Sequence, residues 1–365
     1  MEAARQAEAQ GRHIIHMEVG QPGTPAPQQA RAALAAALDT DSMGYTVALG
    51  LPSLRQRIAR LYGDWYDLDL DPSRVVVTAG SSAGFILSFT ALFDAGARVG
   101  IGCPGYPSYR QILKSLSLTP VDIATQAAAR FQPTVDDLND ADLQGLLIAS
   151  PANPTGTMLD RTALGDLVSW SQNAGVSFIS DEIYHGIEYD KKAVTALDVS
   201  DDVYVINSFS KYHSMTGWRV GWIVVPDAHV RVIERLAQNM FICPSHAGQV
   251  AALAAMDAGD ELSANMDVYR QNRALMLDGL KDAGFTDFAP PDGAFYVYAN
   301  IADLKMGSRA FAAHVLEHSG VAITPGVDFD PVRGENWIRF SYARSTQDIA
   351  EGLSRLKTYM QEHHL

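Results

Sequence analysis

The sequence has only two cysteines among its 365 residues, Cys103 and Cys243. Two thiols cannot build a disulfide framework, and they do not make a zinc set. Long apolar runs are missing too. The stretch from Phe85 to Phe93 is among the longest, and Ser88 and Thr90 interrupt it. That falls well short of the ~20 residues that span a bilayer. Basic residues are scarce: 28 Lys and Arg stand against 42 Asp and Glu, a net charge of −14. Nucleic acids and anionic membranes need clustered Lys and Arg, so this balance argues against both as partners. Met1 to Arg12 is polar and lacks the apolar core of a secretory signal. No internal repeat or low-complexity linker stands out. These absences lead us to expect a soluble protein of a reducing, cytoplasmic compartment. Hydrophobic residues make up 47%, which suffices for a large core, and the length suggests about two domains.

Short apolar runs alternate with helical periodicity through the first two thirds of the chain. Strands are predicted at Val75–Thr78, Arg98–Ile101, Leu146–Ala149, Val176–Ile179, Val203–Asn207 and Val220–Val225. Between them lie helical stretches at Ala83–Leu92, Tyr109–Leu116 and Arg161–Ala174. This alternation predicts an α/β fold with a mostly parallel sheet covered on both faces. After Pro226 the chain turns helical, and Phe288–Leu365 mixes shorter strands with helices, as in a smaller α+β domain. Polar residues collect after five of the strands, at Thr78, Ile101, Ala149, Ser180 and Asn207. Ligands of open α/β sheets sit beyond the carboxyl ends of strands, so five loops point toward one site.

One loop carries the strongest chemistry, Ser208-Phe209-Ser210-Lys211, followed by Arg219. A lysine beside two hydroxyls and a guanidinium suits a carbonyl-reactive amine next to an anion site. Alone, it reads equally as a surface lysine. Asp181 could be a helix cap, Tyr106 and Tyr184 ordinary half-buried tyrosines, and Arg339 a structural ion-pair partner.

The order of these pieces decides among the alternatives. Asn153-Pro154-Thr155-Gly156 precedes Asp181 by 28 positions, counted from Asn153; Tyr184 lies 3 beyond Asp181, and Arg219 lies 8 beyond Lys211. The set resembles the class I/II aminotransferases, the pyridoxal-phosphate (PLP) enzymes of fold type I, from Gly20-Gln21-Pro22 through Arg339-Phe340-Ser341. The resemblance implies a large PLP-binding domain over residues 40–270 and a small domain over 271–365, with residues 1–39 packing on the small one. It implies that Lys211 holds PLP as a Schiff base and carries the proton, while Asp181 pairs with the ring nitrogen. Tyr184 and Asn153 would hydrogen-bond the ring 3′-oxygen, and Tyr106 would stack on the ring. Ser208, Ser210, Arg219 and the backbone N–H groups of Ser81 and Ser82 would hold the phosphate. Arg339, with Asn153 and Gly20, would face the substrate carboxylate. Tyr45 would reach the phosphate of a neighbouring subunit, which makes the protein a homodimer with shared sites. The implied activity is ping-pong transfer of an α-amino group from an amino acid to a 2-oxo acid, a step of amino-acid metabolism. A PLP-dependent β-eliminating lyase is the alternative within the fold. A non-catalytic PLP-sensing regulator would need a DNA-binding module, and none is visible.

Other patterns carry less. Gly100-x-Gly102-x-x-Gly105 fits a dinucleotide fingerprint, but Pro104 and Tyr106-Pro107 suit a tight glycine turn poorly. His314-x-x-Glu317-His318 lacks a convincing third metal ligand in the sequence, so no metal site is expected. Ser208-x-x-Lys211 lacks the companion motifs of penicillin-binding enzymes. Ser82 stands where some aspartate-specific relatives carry a basic residue, which disfavours a dicarboxylate-dedicated enzyme. Phe329-Asp330 replaces a frequent Phe-Gly ahead of Arg339.

Overall fold

A computed structural model describes residues 1–138 and 141–364. Seven strands form one sheet. In spatial order they are Val75–Thr78, Gly221–Val224, Tyr204–Ser208, Ser177–Asp181, Gly145–Ala149, Arg98–Cys103 and Thr119–Ala124. Six run the same way, and Gly221–Val224 is antiparallel to both of its neighbours. Its direction follows from chain length. Residues 209–220 contain no crossover helix, so the chain returns beside the strand it has just left. The loop that holds Lys211 and Arg219 is thereby fixed at both ends to the carboxyl edge of the sheet.

The interior strands are mostly apolar because both faces of the sheet are covered. Leu146 and Ile148 join one core, with Phe178, Val205 and Trp222. Leu147 enters the core on the opposite face, with Ile179, Ile206 and Ile223. Helix ends follow local chemistry. Asp160 accepts a 2.9 Å hydrogen bond from the Ala163 amide, and Gly175 closes the same helix, Arg161–Ala174, in the left-handed conformation.

The edge strand Thr119–Ala124 escapes the sequence reading. Only Ile123 in it is buried, so the continuous apolar signal of an interior strand is missing. Pro120 is tolerated because an edge strand leaves some N–H positions unpaired. The helix expected from Ala83 starts at Gly80, and the strand expected to stop at Ile179 runs on to Asp181. Asp181 therefore sits on the sheet itself rather than in the loop beyond it.

A second core gathers around a three-stranded antiparallel sheet, ordered Thr324–Pro325, Trp337–Ser341, Tyr296–Asn300. Ile15–His16 pairs in parallel with Val321–Ala322, so the amino-terminal segment joins this part of the molecule. The helix Gln28–Thr40 instead lies against the helix His246–Ala255 beside the large sheet. Among the described residues no helix is long and apolar enough to cross a membrane.

Candidate active site

The carboxyl ends of the parallel strands meet the second core around a cavity of about 380 Å³. Eleven of the residues singled out from the sequence line it. Gly20, Ser81, Ser82 and Tyr106 do so, as do Asn153, Asp181 and Tyr184. Ser210, Lys211, Arg219 and Arg339 complete the set. Two do not line it. Ser208 is buried behind Ser210, and its hydroxyl reaches Ser210 Oγ at 2.8 Å. Tyr45 is 83% exposed.

Lys211 donates from Nζ to the Gly20 carbonyl at 2.6 Å. Burial, and next the nearby Arg339 charge, pull its pKa down to about 8. A lysine held there is a usable nucleophile near neutral pH. Gly20 has no space for a side chain, since a Cβ would stand 1.7 Å from the Tyr296 hydroxyl.

Asp181 accepts hydrogen bonds from the Tyr109 hydroxyl and, at 3.0 Å, from the Ile183 amide. Burial pushes its pKa up to about 6. No ion pair reaches it among the described residues. A buried carboxylate without a salt bridge, felt only at a distance by the Lys211 charge, suits a ligand that brings its own positive charge.

The opposite end is an anion cradle. The helix that starts at Gly80 presents the free amides of Ser81 and Ser82. Gly80 has φ +72°, and a Cβ there would meet Arg219 Nη2 at 2.1 Å. Gly221 is packed as tightly, 2.8 Å from the Ser81 nitrogen at its would-be Cβ. Glycine at 80 lets the Arg219 guanidinium lie over the helix start, and glycine at 221 lets the strand pass against the backbone of that start. Arg219 also donates to the Thr216 carbonyl at 2.9 Å.

Arg339 forms a second anion site. Its guanidinium donates to Asn153 Oδ1 at 2.8 Å and to the Glu18 carbonyl, while Nε has no partner. The rings of Tyr296 and Phe329 flank it at 4.4 and 4.7 Å. Tyr184 shares a 2.7 Å hydrogen bond with Tyr296.

Sequence reasoning missed Tyr109, Tyr296, Gly80 and Gly221. The first two carried no motif of their own, although Tyr109 follows Tyr106 by three positions on the Pro107–Ser115 helical path. Gly80 was visible only in the loop after a strand, and Gly221 only inside the predicted strand Val220–Val225. The dinucleotide-like Gly100 and Gly102 lie inside a strand, and Asp122 pairs with Arg110 on the edge.

The sequence pattern of "Aminotransferase class I and II" matches residues 12–356. The chain belongs to the class I and II aminotransferases. It is therefore a transaminase of a PLP-dependent family, with the aspartate aminotransferase type of fold. It is 45% identical to the valine–pyruvate aminotransferase of Mycobacterium tuberculosis, over 97% of this chain and 93% of that one. A crystal structure from Silicibacter pomeroyi is 66% identical with a TM-score of 0.95, covering 99% and 95% of the two chains. The Thermus thermophilus aspartate aminotransferase with maleate is 26% identical with a TM-score of 0.92, covering 98% and 94%.

Proposed function

We propose that this aminotransferase binds PLP through Lys211 and moves an α-amino group from an amino acid to a 2-oxo acid in two half-reactions. The observation that carries this reading is one cavity holding a buried amine and two separate guanidinium anion sites. One site suits a phosphate and the other a carboxylate.

The residues fit the cofactor. The Gly80 cradle, Arg219, Ser210 and the amides of Ser81 and Ser82 suit a phosphate dianion. Ser208 acts from behind by fixing the Ser210 hydroxyl. Asp181, buried and without an ion pair, suits a protonated ring nitrogen. Tyr106 lines one wall as the stacking ring, and Tyr184 and Asn153 offer hydrogen bonds to the ring oxygen. When bound, PLP supplies an aldehyde that takes up the substrate amine and a ring that withdraws electrons from the α-carbon.

Lys211 would take the proton from that carbon and deliver it to the carbon that had been the cofactor's aldehyde. Its depressed pKa leaves much of the amine unprotonated near pH 8. Asp181 keeps a proton on the ring nitrogen and so keeps the ring electron-withdrawing. Arg339 holds the substrate carboxylate, with Asn153 orienting the guanidinium. Tyr296 and Phe329 cover that guanidinium and keep water from it.

The amino-acid substrate follows from the charges. Among the described lining residues, Arg219, Lys211 and Arg339 carry the positive charge, and each already has a task. No further lysine or arginine of this subunit's described lining is left for a second carboxylate, and Val19 and Ile183 add apolar wall. We therefore assign a neutral amino acid, in line with the name of the valine–pyruvate relative.

We extend the proposal to a homodimer in which Tyr45 reaches the partner's phosphate site. Tyr45 and Val47 are exposed at 83% and 56%, and Ile242 at 50%. His246 ties this loop to the chain after Ile242 by donating to the Gly44 carbonyl at 3.1 Å. A large lobe over 40–270 and a small lobe from 1–39 and 271–365 belong to the same reading, although the helix Gln28–Thr40 packs beside the large sheet and the helix Gly259–Asp282 crosses the second boundary.

Half-reaction spectroscopy tests the function. The PLP-loaded protein is mixed with single amino acids while its visible band is followed. A neutral amino acid should convert the band to that of the aminated cofactor and release one 2-oxo acid per site. Conversion by dicarboxylic amino acids alone would contradict the substrate assignment.

A further inference from the structure

Asp330 has a task that the carboxylate site does not explain. It is 2% exposed, at the end of a tight turn that begins at Gly326. One carboxylate oxygen accepts from the amides of Val332 and Arg333 at 3.0 and 2.9 Å. The other accepts from Arg333 Nε at 2.7 Å. Asp330 thus fixes the direction of the Arg333 guanidinium.

The rest of that guanidinium leaves its own lobe. Nη1 donates to the Thr125 carbonyl at 2.9 Å, and Nη2 donates to the Cys103 carbonyl. Cys103 ends one strand of the large sheet, and Thr125 follows its neighbour, with which it is in register. One planar group therefore ties two strand ends of the large sheet to the turn before Arg339. A lysine carries its donors on one nitrogen and lacks the planar fork that here presents three separate nitrogens to these acceptors.

The tie acts on the site through Phe329. The Gly105 amide donates to the Phe329 carbonyl at 3.0 Å. The Phe329 ring lies 4.7 Å from the Arg339 guanidinium, and the Tyr296 ring 4.4 Å from it. Gly105 immediately precedes Tyr106, which lines the cavity. The path runs from the Arg333 strap to Phe329, and from Phe329 to both the carboxylate fork and the wall opposite it.

We propose that Arg333 is a positioning residue: strapped by Asp330 to the sheet end, it holds Phe329 so that Arg339 is set for the substrate carboxylate. Arg333 does not touch the substrate. The inference rests on the assignment of Arg339 to that carboxylate.

The test uses the PLP-loaded enzyme. Binding is read without turnover by titrating the visible band with 2-methylalanine, which has the amine and carboxylate but no α-hydrogen. Arg333→Ala should raise its Kd and the KM of the amino-acid substrate together, by about tenfold. The kcat and the Kd for PLP should stay within about twofold, since neither the amine nor the phosphate cradle is disturbed. Arg333→Lys, which keeps the charge but loses the fork, should give a smaller rise of about threefold. Should Arg333→Ala fail to fold, Arg333→Lys carries the same test. A lower Tm with unchanged KM and Kd, or a fall in kcat at constant KM, overturns the proposal. Arg339→Lys run alongside separates the two ideas. If it leaves KM unaltered, the carboxylate assignment falls. If it raises KM while both Arg333 variants leave it unaltered, only the strap falls.

Discussion

Replacing Gly80 with alanine attacks the phosphate end of the cavity without removing any hydrogen-bonding side chain. Gly80 has φ +72°, where an L residue costs about 1–2 kcal/mol of stability. The added Cβ would stand 2.1 Å from Arg219 Nη2 and 2.7 Å from its Cζ. Those atoms end a flexible side chain, so the guanidinium should swing aside while the helix stays. A phosphate would then lose a charge-assisted hydrogen bond, worth about 1.5–3 kcal/mol. That corresponds to about 10- to 150-fold weaker PLP binding. The assay is a PLP titration of the cofactor-free protein, followed by its visible absorbance, with a melting curve for the backbone cost. Arg219→Ala should weaken PLP by a similar factor. In the double variant the two losses in affinity should not add, because both changes remove the same contact. Normal affinity in Gly80→Ala would refute the cradle, and so would fully additive losses.

Three further outcomes follow from the same geometry. Burial raises the Asp181 pKa to about 6, above its ordinary value of 3.8. A carboxyl with a raised folded pKa binds a proton on folding, so cofactor-free protein loses stability as pH climbs between those values and stays weaker above them. Asp181→Asn can accept from the Ile183 amide through Oδ1 and donate from Nδ2 to the Tyr109 oxygen, so it should raise the Tm of the cofactor-free protein at pH 8 by about 2 °C or more, and by less toward pH 4. Equal Tm values at pH 8 would remove the buried charge from the account. In the loaded enzyme the related Asp181→Ala should lower kcat far more than it changes KM, since the charge is used as the α-carbon loses its proton; steady-state kinetics showing normal turnover would take Asp181 out of the mechanism. Tyr45→Phe should weaken PLP by roughly one to two decades. Mixed with Lys211→Ala under subunit exchange, a Tyr45 variant disabled further on its loop should regain partial activity; a monomeric mass in active solution would contradict shared sites.

Legibility in the sequence followed physical cause. Interior strands such as Gly145–Ala149 and Tyr204–Ser208 announced themselves because burial on both faces demands apolar side chains throughout. The edge strand Thr119–Ala124 did not, since its mixed exposure looks like a loop. Lys211, Asp181 and Arg339 were legible as ordered chemistry on a chain. Tyr109 was not, because its part depends on a contact with Asp181 across 72 positions. Gly80 read as part of the loop after a strand and Gly221 as part of the predicted strand Val220–Val225; only the fold shows that the first makes space for Arg219 and the second for the helix start. Asp330 looked like a departure from the usual glycine that put the loop shape in doubt. In the structure it is the buried anchor of Arg333.

Trapping the cofactor on the chain tests the central claim most directly. PLP-loaded protein is reduced with borohydride, digested, and the peptides are weighed. The cofactor mass should be fixed on the peptide containing Lys211 and on no other. In Lys211→Ala the folded protein should carry no reducible linkage and show no transamination. A cofactor fixed to another lysine, or a linkage that survives in Lys211→Ala, would contradict the account.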